Sequence, residues 1–430
     1  MLSPATVYPL LLTWVQALGV VPHATAAPAL AHRLTALLLG QSLAPANLMR
    51  TLTSPLHSPA RQRYQRVART WSCPWLTSAR LTPVLVRAAL ALARPAGTPV
   101  LVLDSVRCGG WEIFTIGLLW HRRMLLVGWA VLPYPWPKGR YTPTVCALLR
   151  QVGAAWPTTG PAPHLLADRG FPSARFFRTL QALCWGFTVR LSARTSVTVD
   201  GVQQRVRDCW PRATPAQWTG VAAHYAGGRQ GIAGHLVVGQ GLIVYPPHQC
   251  NAGSARARQH RAARRLADVQ GKHPRRANPG TSAETDRWVA LFTTDATVLA
   301  ALRHYRLRFA IEGSYRDAQS GWDGRHGWDL EPTVAQQRTA DAVERLVGFW
   351  ALGLLVQSWV GDQLGQATAP AAVYQVQRSW TVHGRLSVFA RGRLAFTDRS
   401  GELAVWLTAT LSDGARRLAH AATPPLVPAA

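Results

Sequence analysis

The spacing of apolar positions changes several times along this chain, and each change marks a different kind of element. Over residues 1 to 95 the apolar residues recur at helical spacing, as in "ALAHRLTALLLGQSL" and "LTPVLVRAALALA", so this region is expected to be helical. Its apolar stretch at 8–21, "YPLLLTWVQALGVV", is short for a membrane span and reads as a buried helix. The arginines of "SPARQRYQRVARTW" suit either a small helical DNA-binding unit or a plain helical cap.

At 98–106, "TPVLVLDSV", a short continuous apolar run ends in an acid, which predicts a buried strand with Asp104 at its tip. "WEIFTIGLLWHRRMLLVGWAVLP" reads as two further strands turned at "HRR", and "TPTVCALLRQVGAA" as a helix. "PHLLADRGFPSARFFRTLQALC" gives a strand, a tight turn carrying Asp168 and Gly170, and another helix; "GFTVRLSA" is a fifth strand. The expected fold class is therefore α/β with a mixed sheet. Its first three strands should be antiparallel neighbours, with the Asp168 strand parallel beside that of Asp104.

From 195 to 298 the chain reads as β segments, "SVTVDGVQQRV", "GHLVVGQGLIVYP" and "RWVALFTTD". They are interrupted at 256–276 by a run with eight Lys or Arg and one Asp, either a solvated loop or one that tracks a DNA backbone. Five regions result: a helical N-terminal DNA-binding region (1–95), a first sheet part (96–194), a β insertion with the basic loop (195–298), a second part (299–365) and a C-terminal region (366–430). An apolar helix, "AVERLVGFWALGLLVQSWV", is expected under the sheet.

Charge sharpens this picture. The chain has 47 basic against 20 acidic residues, a net charge of +27, and its only lysines are Lys138 and Lys272. Arginine reads phosphate bidentately, so the excess points to a nucleic-acid partner. A GC-rich genome would account for Arg over Lys but not for the excess over acids. The six cysteines are scattered with no CxxC pair, which argues against a zinc site or a disulfide framework and for reduced thiols in an intracellular protein.

Against so few acids, three stand out: Asp104, Asp168 and Glu312. In "LRHYRLRFAIEGSYRDAQSGWDG", read as one helix, Tyr305, Arg308, Glu312 and Gln319 lie at offsets of zero, three, seven and fourteen. At ~100° per residue these share a stripe roughly 60° wide. A carboxylate among a tyrosine, an arginine and an amide suits a metal held beside a phosphate. Hard oxygen ligands favour Mg²⁺ or Mn²⁺, and two such ions clamp the attacking and leaving oxygens of an in-line phosphoryl transfer. Taken singly, each acid also fits an ordinary cap, turn or salt bridge.

These motifs resemble those of DDE transposases with the RNase H-like fold, of the bacterial insertion-sequence-four type. That group carries Tyr, two residues, Arg, three residues, Glu, six residues, Lys. Tyr305, Arg308 and Glu312 match, with Gln319 in the place of the lysine. "LLADRGF" matches its Asp-Arg pair at Asp168 and Arg169, "LVLDS" its first Asp at Asp104, and "RWVALFTTD" its base-stacking tryptophan at Trp288. The resemblance spans roughly residues 98 to 360. It implies a DNA transposase whose catalytic and metal-holding residues are Asp104, Asp168 and Glu312, with two Mg²⁺ or Mn²⁺ ions. DNA contacts would come from Arg169, Trp288, Tyr305, Arg308, Gln319 and Arg316, the last compensating for the missing lysine. The implied partners are the double-stranded terminal inverted repeats and target DNA. The implied state is a homodimer on DNA, cytoplasmic and nucleoid-associated, with no membrane. Two other readings stay open: an RNase H-like nuclease without strand transfer, and a non-catalytic DNA-binding repressor.

Overall fold

The computed structural model describes residues 3–21, 23–52, 59–210, 218–226, 231–240, 288–319, 328–365, 387–397 and 401–422. The basic run at 256–276 and Cys250 lie outside them. The chain divides into two compact units, one of residues Met1–Gly186 and Leu307–Ala430, the other of Phe187–Arg306. It is a mixed α/β protein.

The first unit is built on strands β1 (Val100–Cys108), β2 (Trp111–Trp120), β3 (Arg123–Pro133) and β4 (His164–Ala167), in the order β3-β2-β1-β4. β1 pairs antiparallel with β2 and parallel with β4, and β2 pairs antiparallel with β3, as the strand pattern predicts. The β2–β3 turn needs two residues with positive φ, the geometry that matches strand twist in a two-residue hairpin. His121 and Arg122 supply it at φ 47° and 61° without the usual Asn or Gly.

Helices Pro4–Leu18, Ala27–Gly40, Pro45–Thr51, Ala60–Ala68 and Ser78–Ala93 make up the N-terminal region and belong to the same unit as this sheet. Buried Trp14 donates its indole N–H to the Leu411 carbonyl at 2.6 Å, tying the first helix to helix Gly401–Ala422. Helix Ala340–Leu364 lies against β3, where the Trp129 indole N–H reaches the Glu344 carbonyl at 2.9 Å. This helix is long and apolar enough to cross a membrane by length and composition, yet it is mostly buried inside the protein. Its Gly361 and the facing Gly392 of helix Val388–Thr397 allow the backbones to touch. A Cβ on Gly361 would meet the Val388 carbonyl oxygen at 1.7 Å, and one on Gly392 the Gln357 carbonyl oxygen at 1.9 Å.

The second unit is mostly strand. β5 (Gly186–Leu191), β6 (Ser196–Val199), β7 (Val202–Arg205), β8 (Thr219–Tyr225), β9 (Ile232–Gln240) and β10 (Trp288–Thr293) follow the order β5-β10-β9-β8-β6-β7. Neighbouring strands in this order pair antiparallel throughout. Helix Val298–Leu307 follows β10. The segment expected as a β insertion is therefore strand-rich in its described residues.

Candidate active site

Register decides where the first two acids go. The last parallel pair between β1 and β4 is Leu103 with Ala167, so Asp104 and Asp168 are the next residue on each strand. The expectation of Asp104 at the tip of its strand is corrected here. β1 continues to Cys108 in full antiparallel pairing with β2, where Asp104 faces Thr115. What ends at Asp104 is the pairing with β4. There the chain turns away through Asp168–Gly170, closed by the Phe171 N–H on the Asp168 carbonyl at 3.2 Å.

The third acid arrives on a separate helix. The one helix expected over Tyr305 to Gln319 is two, Val298–Leu307 and Ala310–Gln319, with a turn at Arg308–Phe309. No Pro or Gly marks that break. Arg308, in that turn, is only 6% exposed and turns its side chain into the acids. Helix Ala310–Gln319 is fixed to β3 by Ser314, whose hydroxyl accepts from the Met124 N–H at 2.9 Å, and by Arg123 on Asp317 at 2.6 Å. Tyr315 is buried beneath, its hydroxyl hydrogen-bonded to that of Thr115. These contacts put Glu312 opposite the two aspartates.

Arg308 joins all three carboxylates. One amino group lies 3.3 Å from Asp104 Oδ2; the other is 3.4 Å from Glu312 Oε1 and 4.0 Å from Asp168 Oδ2. Asp104 is the most enclosed of the three. Burial pushes its carboxyl up to about 6 despite Arg308 and the Ser105 N–H that it accepts at 2.8 Å; Asp168 and Glu312 push it the same way. Burial outweighs the single cation because one guanidinium is shared among three acids. Tyr141 and Tyr315, raised first by burial, feel the negative charge of Asp104 as well.

The remaining sequence-predicted residues are each placed by their own element. Arg169 is exposed beside Asp168. Tyr305 lies on the helix before the break and is buried to 1% exposure, so it does not share a single helical face with Glu312. Trp288 opens β10 as expected, but its ring stacks on Trp210 with centroids 5.2 Å apart and planes 8° from parallel. One face of Trp288 is therefore already covered. The side chains of Arg316 and Gln319 lie outside the described residues.

Sequence reasoning missed a second group on the same sheet. Glu112, 3% exposed, accepts from the Ser105 hydroxyl at 2.8 Å and from Arg107 Nε at 3.0 Å. A period-2 reading of "DSVRCGGWE" would have paired Arg107 with Glu112 across the turn at Gly109 and Gly110. No known protein-family model matches the chain, and no curated protein matches it either.

Proposed function

We propose that the chain is a metal-dependent DNA transposase, with an RNase H-like sheet as its catalytic scaffold and a β-rich insertion. One observation carries this reading. Acids from β1, from the turn after β4 and from helix Ala310–Gln319 meet at a single buried arginine.

The donor set suits Mg²⁺ or Mn²⁺, since every ligand atom is a hard carboxylate oxygen. Arg308 already brings a positive charge among them. Among the described residues the three acids are not a group whose oxygens all lie within 4.8 Å of one another, and the guanidinium occupies the space between. Asp104, Asp168 and Glu312 would hold the ions once Arg308 turns out of the cluster. Bound ions of this kind activate an attacking water or 3′-OH and neutralise the leaving oxygen.

The chain's own residues supply the rest. Asp104 is fixed by its strand pairing and by the Ser105 N–H, and Glu312 by the helix that Ser314 and Asp317 clamp to β3. Arg308, released from the acids, becomes a bidentate donor for a backbone phosphate beside them. Arg169, exposed next to Asp168, extends the positive rim. The net charge of +27 favours the polyanionic partner.

The test uses labelled duplexes carrying the DNA that flanks the gene, incubated with Mg²⁺ or Mn²⁺. The proposal expects nicks at the element ends and joined products in target DNA. Nicks without joined products would make the protein an RNase H-like nuclease. DNA binding with no metal-dependent cleavage would make it a non-catalytic DNA-binding protein.

A further inference from the structure

The segment at the end of β3, "PYPWPKGRY", carries three aromatic rings and two cations in a few residues. Tyr134 is 37% exposed and Trp136 half-buried, while Lys138 and Arg140 are exposed. The rings form a row. Tyr134 and Trp136 have centroids 5.3 Å apart, and Trp136 and Tyr141 5.1 Å apart. Arg107, itself exposed, places its guanidinium 4.1 Å from the Tyr134 ring centre and 5.4 Å from that of Trp136. Its Nη1 donates to the Tyr134 hydroxyl at 3.0 Å and its Nε to buried Glu112, so the arginine is locked against the rings.

Aromatic side chains left at the surface need a reason when backbone or core could cover them. Here the row is held rigid from below, since Tyr141 packs edge-on against buried Phe114 at 5.0 Å. It also runs toward the acids. Tyr141 lies against the turn that follows Asp168: its ring centre is 6.1 Å from that of Phe171, and a Cβ on Gly170 would lie 3.6 Å from its hydroxyl.

We infer that Tyr134 and Trp136, flanked by Arg107, Lys138 and Arg140, form a stacking platform for unpaired bases of single-stranded DNA leading into the acidic cluster. Stacking explains the exposed rings, because every base presents a π-face. The cations explain the partner, because a polyanionic backbone follows the stacked bases. A basic partner would meet the wrong charge, and a purely apolar one would leave Lys138 and Arg140 unmatched. The inference rests on the nucleic-acid reading of the acidic cluster for its role, though not for the binding itself.

The experiment measures fluorescence anisotropy of the full chain with a labelled oligothymidylate of about 16 nucleotides, a length within single-strand site sizes. Trp136→Ala and Tyr134→Ala should each weaken binding about ten-fold, within the range of one lost stacking contact. Trp136→Phe keeps a ring and should stay within about three-fold of the unaltered protein. Binding to a duplex of equal length should change far less. If Trp136→Ala lowers the melting temperature, the more exposed Tyr134→Ala carries the comparison. Unchanged affinity in both alanine variants overturns the platform, as does equal weakening of duplex and single strand. Metal-dependent cleavage is scored separately. Its absence alongside ring-dependent single-strand binding would remove the transposase reading and leave the platform, while the reverse pattern would remove the platform alone.

Discussion

Asp104 is a carboxylate kept where its charge is costly. Its carboxyl titrates at about 6 in the folded chain against 3.8 for the unperturbed group. In the metal-free protein a raised carboxyl means the unfolded chain gives up its proton first. Stability therefore falls as pH rises from about 4 to about 6 and the loss is complete above that. Asp104→Asn removes the charge but keeps the shape. At pH 7 it should raise the stability of the metal-free protein by about 1–3 kcal/mol, and the gain should shrink as pH drops from 6 to 4 in denaturant titrations. A stability loss at pH 7 would show that the pairing with Arg308 outweighs the burial. Arg308 and Glu312 should differ in kind. Glu312→Gln should stop cleavage and leave DNA binding in place, whereas Arg308→Ala should weaken binding by about 1.5–3 kcal/mol for a lost charged hydrogen bond, measured by competition at fixed salt. Equal loss of binding in both would deny Arg308 its phosphate. Asp104, Asp168, Arg308 and Glu312 could be read from the sequence because acids are scarce and each sits at the end of an apolar run or in a patterned helix. Tyr315, Thr115 and Glu112 could not. Their roles come from pairing across β2 and from a helix laid on β3, which no local spacing encodes.

At the scale of elements, short continuous apolar runs identified β1 to β5, because their length and flanking turn residues set them apart from buried helix segments. The break at Arg308–Phe309 escaped the same reasoning. A helical wheel assumes an unbroken helix, and nothing in "YRLRFAIEG" signals a stop. The break coincides with a guanidinium buried among acids brought by other segments, a tertiary arrangement that local spacing does not encode. Likewise the Trp210–Trp288 stack joins residues far apart in the chain, so the sequence alone offered Trp288 as a free stacking surface. The close crossing of helices Ala340–Leu364 and Val388–Thr397 gives a packing prediction. Gly361→Ala puts a methyl 1.7 Å from a backbone oxygen, and neither backbone can rotate away as a side chain would. It should cost at least the ~1–3 kcal/mol of an overpacked core, read as a lower denaturation midpoint. An unchanged midpoint would mean the two helices separate freely.

For the whole molecule, 27 surplus positive charges on 430 residues make salt the natural probe. Affinity for duplex DNA should fall linearly on a log–log plot against salt, with a slope of about −0.9 for each phosphate contacted. Neutralising the arginines of 256–276 should shallow it if that run lies on DNA, and an unchanged slope would return the run to solvent. The two-unit division was partly legible, because the chain changes from alternating strand and helix to strand alone near 195. The unit itself runs from Phe187 to Arg306 and takes in β5 and the helix that bears Tyr305. The N-terminal helices were legible as helices but not as part of the same unit as the acid-bearing sheet, since Trp14 finds its partner only at Leu411. The central claim is that Asp104, Asp168 and Glu312 act together on divalent ions, and Mn²⁺ binding followed by electron paramagnetic resonance tests it most directly. The unaltered chain should bind Mn²⁺ with an affinity that falls at least about ten-fold, a change of roughly 1.4 kcal/mol, in each of Asp104→Asn, Asp168→Asn and Glu312→Gln. Unchanged Mn²⁺ affinity in all three variants would contradict the account.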